Sequence, residues 1–348
     1  MKLCSPEDCT GCYACFNACN HQAIEMIKNH EGFFYPSINN DKCTECGLCE
    51  KKCPVLHPVI RSSDFEQYGY ACWSNDKNIR RKSSSGGFFS EAANVILKQG
   101  GVVVGAGFDK NFVLKHSMID QAEDLESLRG SKYVQSQMND IFYNIKHHLK
   151  ENRTVLFTGT PCQVAGLYSY LGKREEHLYT LDLICHGVPS GAVFDKYKKW
   201  LEEKHQAKLT DYQFRDKRRS WMWYNIKARF SSGDTYIGGW FNDPFLRIFL
   251  RDNVLRECCY SCKYANMNRI GDITIADYWG FKTKNNKDKN TDEGISLALI
   301  NNLKGEALFE RCKTSLTFFR REKGEISKSQ KNLSSSLEHA TFSYCILE

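Results

Sequence analysis

Cys9, Cys12, Cys15 and Cys19 are spaced C-x2-C-x2-C-x3-C, and Cys43, Cys46, Cys49 and Cys53 repeat that spacing just before Pro54. Two-residue gaps let successive thiolates reach corners of one iron–sulfur cube, and in such runs the fourth cysteine turns to the other cluster. The spacing therefore assigns Cys9, Cys12, Cys15 and Cys53 to one [4Fe-4S] cluster, and Cys43, Cys46, Cys49 and Cys19 to a second. Zinc sites usually combine two short pairs, so two identical four-cysteine runs fit neither zinc knuckles nor a disulfide scaffold. Gly11, Ala14 and Gly47 keep the backbone near the inorganic core. Such clusters carry single electrons, so this segment reads as a relay that needs something at its far end.

Four further cysteines are candidates for a third cluster. Thr158-Gly159-Thr160-Pro161-Cys162-Gln163 follows a strand and opens a helix, which places Cys162 at a helix amino terminus. Asp182-Leu183-Ile184-Cys185-His186-Gly187 ends a second apolar strand, and Cys259-Tyr260-Ser261-Cys262 supplies a C-x2-C pair. Sites in open α/β sheets gather beyond the carboxyl ends of strands, which would bring Cys162 and Cys185 together. Other readings stay open: Cys162 with His186 as nucleophile and base, Cys259 and Cys262 as a redox or zinc pair, or ordinary buried thiols. Cys258 duplicates the pair's position and is ambiguous, and Cys4, Cys72, Cys312 and Cys345 have no partner spacing.

Ser84-Ser85-Gly86-Gly87, just after Arg80-Arg81-Lys82, could hold a phosphate at a helix start. Gly130-Ser131-Lys132-Tyr133 is a similar glycine turn followed by a cation and a ring; both could equally be ordinary capping turns. The basic run Arg215 to Arg219 precedes Trp221 and Trp223. The chain is only mildly basic, with acids intermixed, so the run suits an acidic electron partner or cofactor phosphates better than nucleic acid.

The elements that must position these residues are legible in outline. Ser83, Ser84 and Ser85 offer capping hydroxyls before an amphipathic stretch from Phe88 to Leu97, and a buried strand follows from Val102 to Gly107. Further helices are expected over Asp124–Arg129, Asp140–Leu149 and Phe194–His205. Strands are expected over Thr154–Phe157 and Leu178–Ile184, with a hairpin joining Ile226–Phe230 to Thr235–Gly239. The alternation predicts an α/β body with a largely parallel sheet. Arg61 to Gln67 reads as a linker, Lys282 to Glu293 as an exposed polar loop, and the last twenty residues carry little signal. The chain has 348 residues, 17 cysteines and a net charge of +7. Residues 1–60 hold five Lys against seven Asp and Glu, so an acidic head precedes a basic body. There is no apolar signal core at the start and no apolar run of the roughly 18 residues a membrane span requires. The expectation is a cytoplasmic protein with reduced thiols and no integral membrane anchor.

Read in order, Ser84-Ser85-Gly86-Gly87, Gly130 to Ser136, Gly159-Thr160-Pro161-Cys162-Gln163, Cys185-His186-Gly187-Val188-Pro189-Ser190 and Gly271 to Gly280 resemble the coenzyme F420 hydrogenase/dehydrogenase beta subunit family. The resemblance implies an α+β ferredoxin-like module followed by an α/β flavin-binding body. The expected division is 1–60, 61–150 for the flavin-binding part, 151–325 with the third cluster, and a 326–348 tail. It further implies FAD, with Ser84, Ser85, Gly86, Gly87, Ser131, Lys132 and Tyr133 as flavin contacts and Lys132 as the catalytic candidate near the ring. The implied function passes electrons between clusters and FAD and on to or from a two-electron small molecule, of the deazaflavin type or another. An electron-donor or acceptor protein is the implied partner. Asp272, Asp277 and Trp279 would either hold the third-cluster loop or pack a strand end. The rival reading is a non-catalytic electron-transfer or assembly subunit of a larger redox complex.

Overall fold

The structure, a computed structural model, describes residues 3–60, 64–281 and 291–338. The head is small. Strands β1 (Ile24–Lys28) and β2 (Phe34–Ile38) pair antiparallel, and each cysteine run enters a short helix, Ala14–Ala18 or Leu48–Lys51. Tyr13 and Gly47 start those helices in the left-handed region, φ 65° and 76°.

The body is organised by an eight-stranded sheet. Its strands are β3 (Tyr68–Ser74), β4 (Val102–Phe108), β5 (Leu114–Ile119), β6 (Val155–Gly159), β7 (Leu178–Leu183), and, after an insertion, β11 (Ile273–Asp277), β12 (Ser296–Ile300) and β13 (Leu316–Arg321). The order across the sheet is β13-β3-β12-β11-β7-β6-β4-β5. The pairs β11/β7, β7/β6 and β6/β4 are parallel and the other four antiparallel. The largely parallel sheet expected from the sequence is thus mixed: parallel pairing is confined to the apolar centre, and antiparallel strands close both sides. Alternation along the strands feeds two cores. Val102, Val104, Val155 and Phe157 face one, while Val103, Leu156, Leu181 and Ala298 face the other.

The insertion between β7 and β11 forms a second sheet of β8 (Leu209–Asp216), β9 (Asn225–Phe230) and β10 (Thr235–Gly239), packed through Phe194, Phe214 and Phe245 on helices Gly191–His205 and Pro244–Leu250. The expected hairpin is its β9/β10 pair. The head is joined firmly to the body. Cys12, Tyr13, Ala14 and Ala18 share a core with Phe142, Phe157 and Val164, Asn17 Nδ2 donates to Asn139 O at 2.8 Å, and Ser169 Oγ donates to Lys52 O at 2.9 Å. Most of the expected polar loop over 282–293, and the last ten residues, lie outside the described residues.

One local expectation is overturned. Ser83, Ser84 and Ser85 do not cap the helix Phe88–Leu97; its N-cap is Gly87 at φ 100°. Ser83 Oγ instead donates to Ile79 O, Ser84 Oγ accepts from Ser131 N, and Ser85 Oγ donates to Ile295 O. Glycine reaches the left-handed conformation that the tight entry needs, which frees the hydroxyls for tertiary work.

Candidate redox site

In the head, Cys4, Cys9 and Cys53 lie in mutual contact. The Cys4 thiol bonds both partners and holds Cys9 and Cys53 down to about 6, against burial. Burial pushes Cys12 up to about 12, with Cys9 and Cys53 close enough to add repulsion, and Cys15 senses Cys12, Cys9 and Cys53. Cys49, also raised by burial, senses Cys19 and Cys43. Cys9, Cys12, Cys15 and Cys53 are therefore one neighbourhood, and Cys49 shares another with Cys19 and Cys43. Cys46 is exposed on the rim. Cys4, which no spacing singled out, stands beside the first set.

The third set is assembled by the fold. The helix Pro161–Leu171 starts directly after β6, with Gln163 Oε1 accepting from Thr160 N at 2.9 Å, so Cys162 is fixed in its first turn. Cys185 follows β7, while Cys259 and Cys262 return from the insertion just before β11. Burial raises the Cys162 thiol, with Cys185, Cys262 and Cys259 adding to it. Cys185, held up to about 12 by burial, senses Cys259 and Cys262 in turn. All four line a small cavity of about 60 Å³. Thr160 Oγ1 lies 3.1 Å from Cys162 Sγ, and Val188 N donates to Cys259 Sγ at 3.4 Å. His186 engages Asp252, 2.7 Å away, and stacks edge-on to Phe249.

Sets of four thiols match the ligand count of a [4Fe-4S] cluster, and metal ligation would hold the thiols that burial raises, Cys12, Cys162 and Cys185, in the ionised form.

Buried charges frame the three sets. Arg269 Nη2 pairs with Asp182 Oδ1 at 3.0 Å, and Asp182 Oδ2 accepts from Gly271 N at 2.9 Å, tying the end of β7 to the segment that follows Cys259 and Cys262. Asp272 accepts from Thr180 N at 2.8 Å, so it joins β7 to β11 behind that segment. Tyr264, raised by burial, senses Cys162, Cys12, Cys262 and Cys53, so it stands between the first and third sets. Arg256 lies there too, with Nη2 buried and unpartnered.

Beyond the third set opens a cavity of about 660 Å³, within the range of cofactor sites. Cys162 and Cys185 line one part of it, and Ser84, Ser85, Gly87, Ser131, Lys132 and Tyr133 line another. The two turns meet through the Ser131 N to Ser84 Oγ bond at 2.7 Å. Gly86 stands behind this wall, where an added Cβ would meet Cys72 O at 2.4 Å, so its glycine serves packing. Lys132 Nζ donates to Arg129 O at 2.6 Å, and burial pushes it down to about 7. Tyr133 stacks on Phe249, ring centres 4.8 Å apart. His116 lies on the floor, pushed down to about 4 by burial and hence neutral at pH 7. Its Nε2–H therefore donates to Thr158 O at 3.1 Å, and its Nδ1 accepts from Ser136 Oγ. Thr158 Oγ1 and two guanidinium nitrogens of Arg215 are buried without partners in the wall. A large cavity with orphaned donors suits a polar, phosphate-bearing cofactor.

Arg80, Arg215 and Lys217 of the basic segments turn inward, while Arg81, Lys82, Arg218 and Arg219 stay exposed. Arg80 donates to Gly294 O at 2.9 Å and Lys82 pairs with Glu126 at 3.1 Å. Arg215 pairs with Asp277 and lies 4.2 Å over Tyr224, while Lys217 Nζ donates to Ser85 O at 2.6 Å. Trp279 stacks on Trp221 with centres 4.6 Å apart. Arg256, Tyr264 and His116 were missed in the sequence, where the one available signal was that Arg256 precedes the C-x2-C pair; Arg215 stood in the basic run already singled out.

Residues 152–321 match the family model for the C terminus of the coenzyme F420 hydrogenase/dehydrogenase beta subunit, and residues 69–142 match the model for its N terminus. Residues 8–56 match the 4Fe-4S dicluster domain. Among solved structures, a chain of the xenon-derivatised F420-reducing [NiFe] hydrogenase complex from Methanosarcina barkeri is similar, with a TM-score of 0.49 and 17% identity, covering 81% of this chain and 99% of that one. No curated protein matches the chain. Among the described residues no helix is long and apolar enough to cross a membrane.

Proposed function

The chain belongs to the coenzyme F420 hydrogenase/dehydrogenase beta subunit family, with an iron–sulfur electron-transfer role, and on that premise we propose a cytoplasmic iron–sulfur flavoprotein oxidoreductase. It holds two [4Fe-4S] clusters in the head, a third on Cys162, Cys185, Cys259 and Cys262, and FAD in the large cavity. It exchanges electrons with a donor or acceptor protein and with a two-electron small molecule, of the deazaflavin type or another. Clusters carry single electrons, and a bound flavin converts between one- and two-electron chemistry.

The observation that carries this reading is that four cysteines from three segments line one small cavity, and two of them, Cys162 and Cys185, also line the large cavity that the Ser84 and Ser131 turns line. The residues divide the work. Ser84 fixes the two turns to each other, Lys132 places at that end an amine that burial pushes down to about 7, and His116, held neutral, bonds Thr158 and Ser136 across the floor without adding charge. Tyr264 and Arg256 stand between the first and third sets.

Iron, sulfide and flavin per chain, measured on anaerobically purified protein, test the proposal. About twelve irons with one FAD are expected. About eight irons without flavin would overturn it and leave a ferredoxin head on a non-catalytic body. Lys132→Ala is expected to lower FAD occupancy and slow flavin reduction while iron stays constant; unchanged flavin content and kinetics would remove Lys132 from the site.

A further inference from the structure

We propose that Arg256 is the shared counter-cation of the first and third cysteine sets and that its charge raises the reduction potentials of both clusters. This rests on the reading that each set holds a [4Fe-4S] cluster.

Arg256 is 1% exposed. Its Nε donates to Cys9 O at 2.6 Å and its Nη1 to Phe34 O at 3.1 Å, both in the head. Its guanidinium lies 4.0 Å over the Tyr35 ring. The same residue belongs to the third-cluster loop, where its carbonyl accepts from Cys259 N at 2.8 Å. One residue thus meets the backbone of a first-set cysteine through its side chain and that of a third-set cysteine through its own carbonyl. The approach is close: a Cβ on Gly11 would come 3.1 Å from Nη1, and Gly11 sits at φ +63°.

The charge has no ordinary partner. Arg269 and Arg215 face Asp182 and Asp277, whereas no carboxylate among the described residues pairs with Arg256, and its Nη2 is left without an acceptor. A buried cation without an anion is strongly disfavoured. The anionic charge at hand is that of the thiolates of Cys9 and Cys259, to whose backbones Arg256 is bonded. A cluster core wrapped in four thiolates supplies the missing charge. Because reduction makes a cluster more negative, a fixed cation beside it favours the reduced form, and net charge and hydrogen bonding are among the controls on cluster potential.

The experiment is a redox titration of the anaerobic full-length protein, read by EPR, with iron and flavin counted on the same samples. Arg256→Gln is expected to keep about twelve irons. At fixed applied potential its reduced-to-oxidised ratio should fall at least tenfold for the first and third clusters, 59 mV for a one-electron couple. The second cluster should stay within threefold of native. Arg256→Lys, which keeps the charge, should hold all three within threefold. A fully loaded Arg256→Gln protein with native potentials overturns the proposal. If that variant fails to load iron, Arg256→Lys decides: full iron with native potentials supports the charge role, while iron loss or a tenfold displacement overturns it. About eight irons in the native protein would instead refute the underlying third-cluster reading.

Discussion

An added Cβ at Gly166 would lie 2.9 Å from Cys12 Cβ and 3.1 Å from its Sγ, because the helix Pro161–Leu171 packs directly on the first cysteine run. Gly166→Ala should therefore displace a cluster ligand as well as strain the core. We expect a stability loss of about 1–3 kcal/mol and depletion of iron from the first set, checked by denaturation and iron content; normal iron would show that the helix can yield. His116 gives a pH prediction. Its folded pKa of about 4 lies below the unfolded value near 6.5, so the unfolded chain binds the extra proton as pH falls. Its stabilising contribution is complete above about pH 6.5 and is lost progressively toward pH 4, up to ~3 kcal/mol in all. His116→Gln should flatten the stability-against-pH curve across that window relative to native protein, and equal slopes would refute the assignment. At this scale the dicluster head was legible because its eight cysteines fall in two runs of fixed spacing. Arg256, Tyr264 and His116 were not, because their roles come from burial between segments remote in sequence.

Among the elements, the β6 and β7 ends deliver Cys162 and Cys185 to one place, and the Asp182–Arg269 pair holds the returning loop against them. Both side chains are nearly inaccessible, 0% and 2% exposed. Asp182→Asn removes the charge partner of a buried arginine and should cost about 3–5 kcal/mol. The accompanying loss of third-cluster iron, with the head's iron retained, would be read by cluster-resolved EPR; unaltered stability would refute the assignment. The central strands β4, β6 and β7 were readable as short apolar runs. The strands β3, β12 and β13 were not, since their pairing is antiparallel and joins residues more than two hundred positions apart, which no local pattern records. The serines before Phe88 misled for a related reason: hydroxyls suited to capping were taken by distant partners.

For the whole molecule, the head contributes to the same core as helix Pro161–Leu171, so it is a built-in part of the protein. A chain beginning at residue 64 should expose that core and deprive Arg256 of both its carbonyl acceptors. We expect it to aggregate on size-exclusion chromatography and to lack the third cluster, whereas a monodisperse product with four irons would show an autonomous body. The two-part layout was visible in the cysteine density and charge, but the firmness of the joint was not, since it depends on a glycine and on backbone carbonyls.

The position of β3 between β12 and β13 has a consequence for biogenesis. On the ribosome, β3 emerges among the first body segments, yet both of its neighbours are translated near the end. The sheet therefore stays open until synthesis is almost complete, while all nine head cysteines have long been available to the iron–sulfur assembly machinery. Metal can be delivered to the head of a nascent chain, but the third site must wait for Cys262 and its cavity for the closing strands. Prematurely terminated chains would thus carry metal without a completed outlet for its electrons.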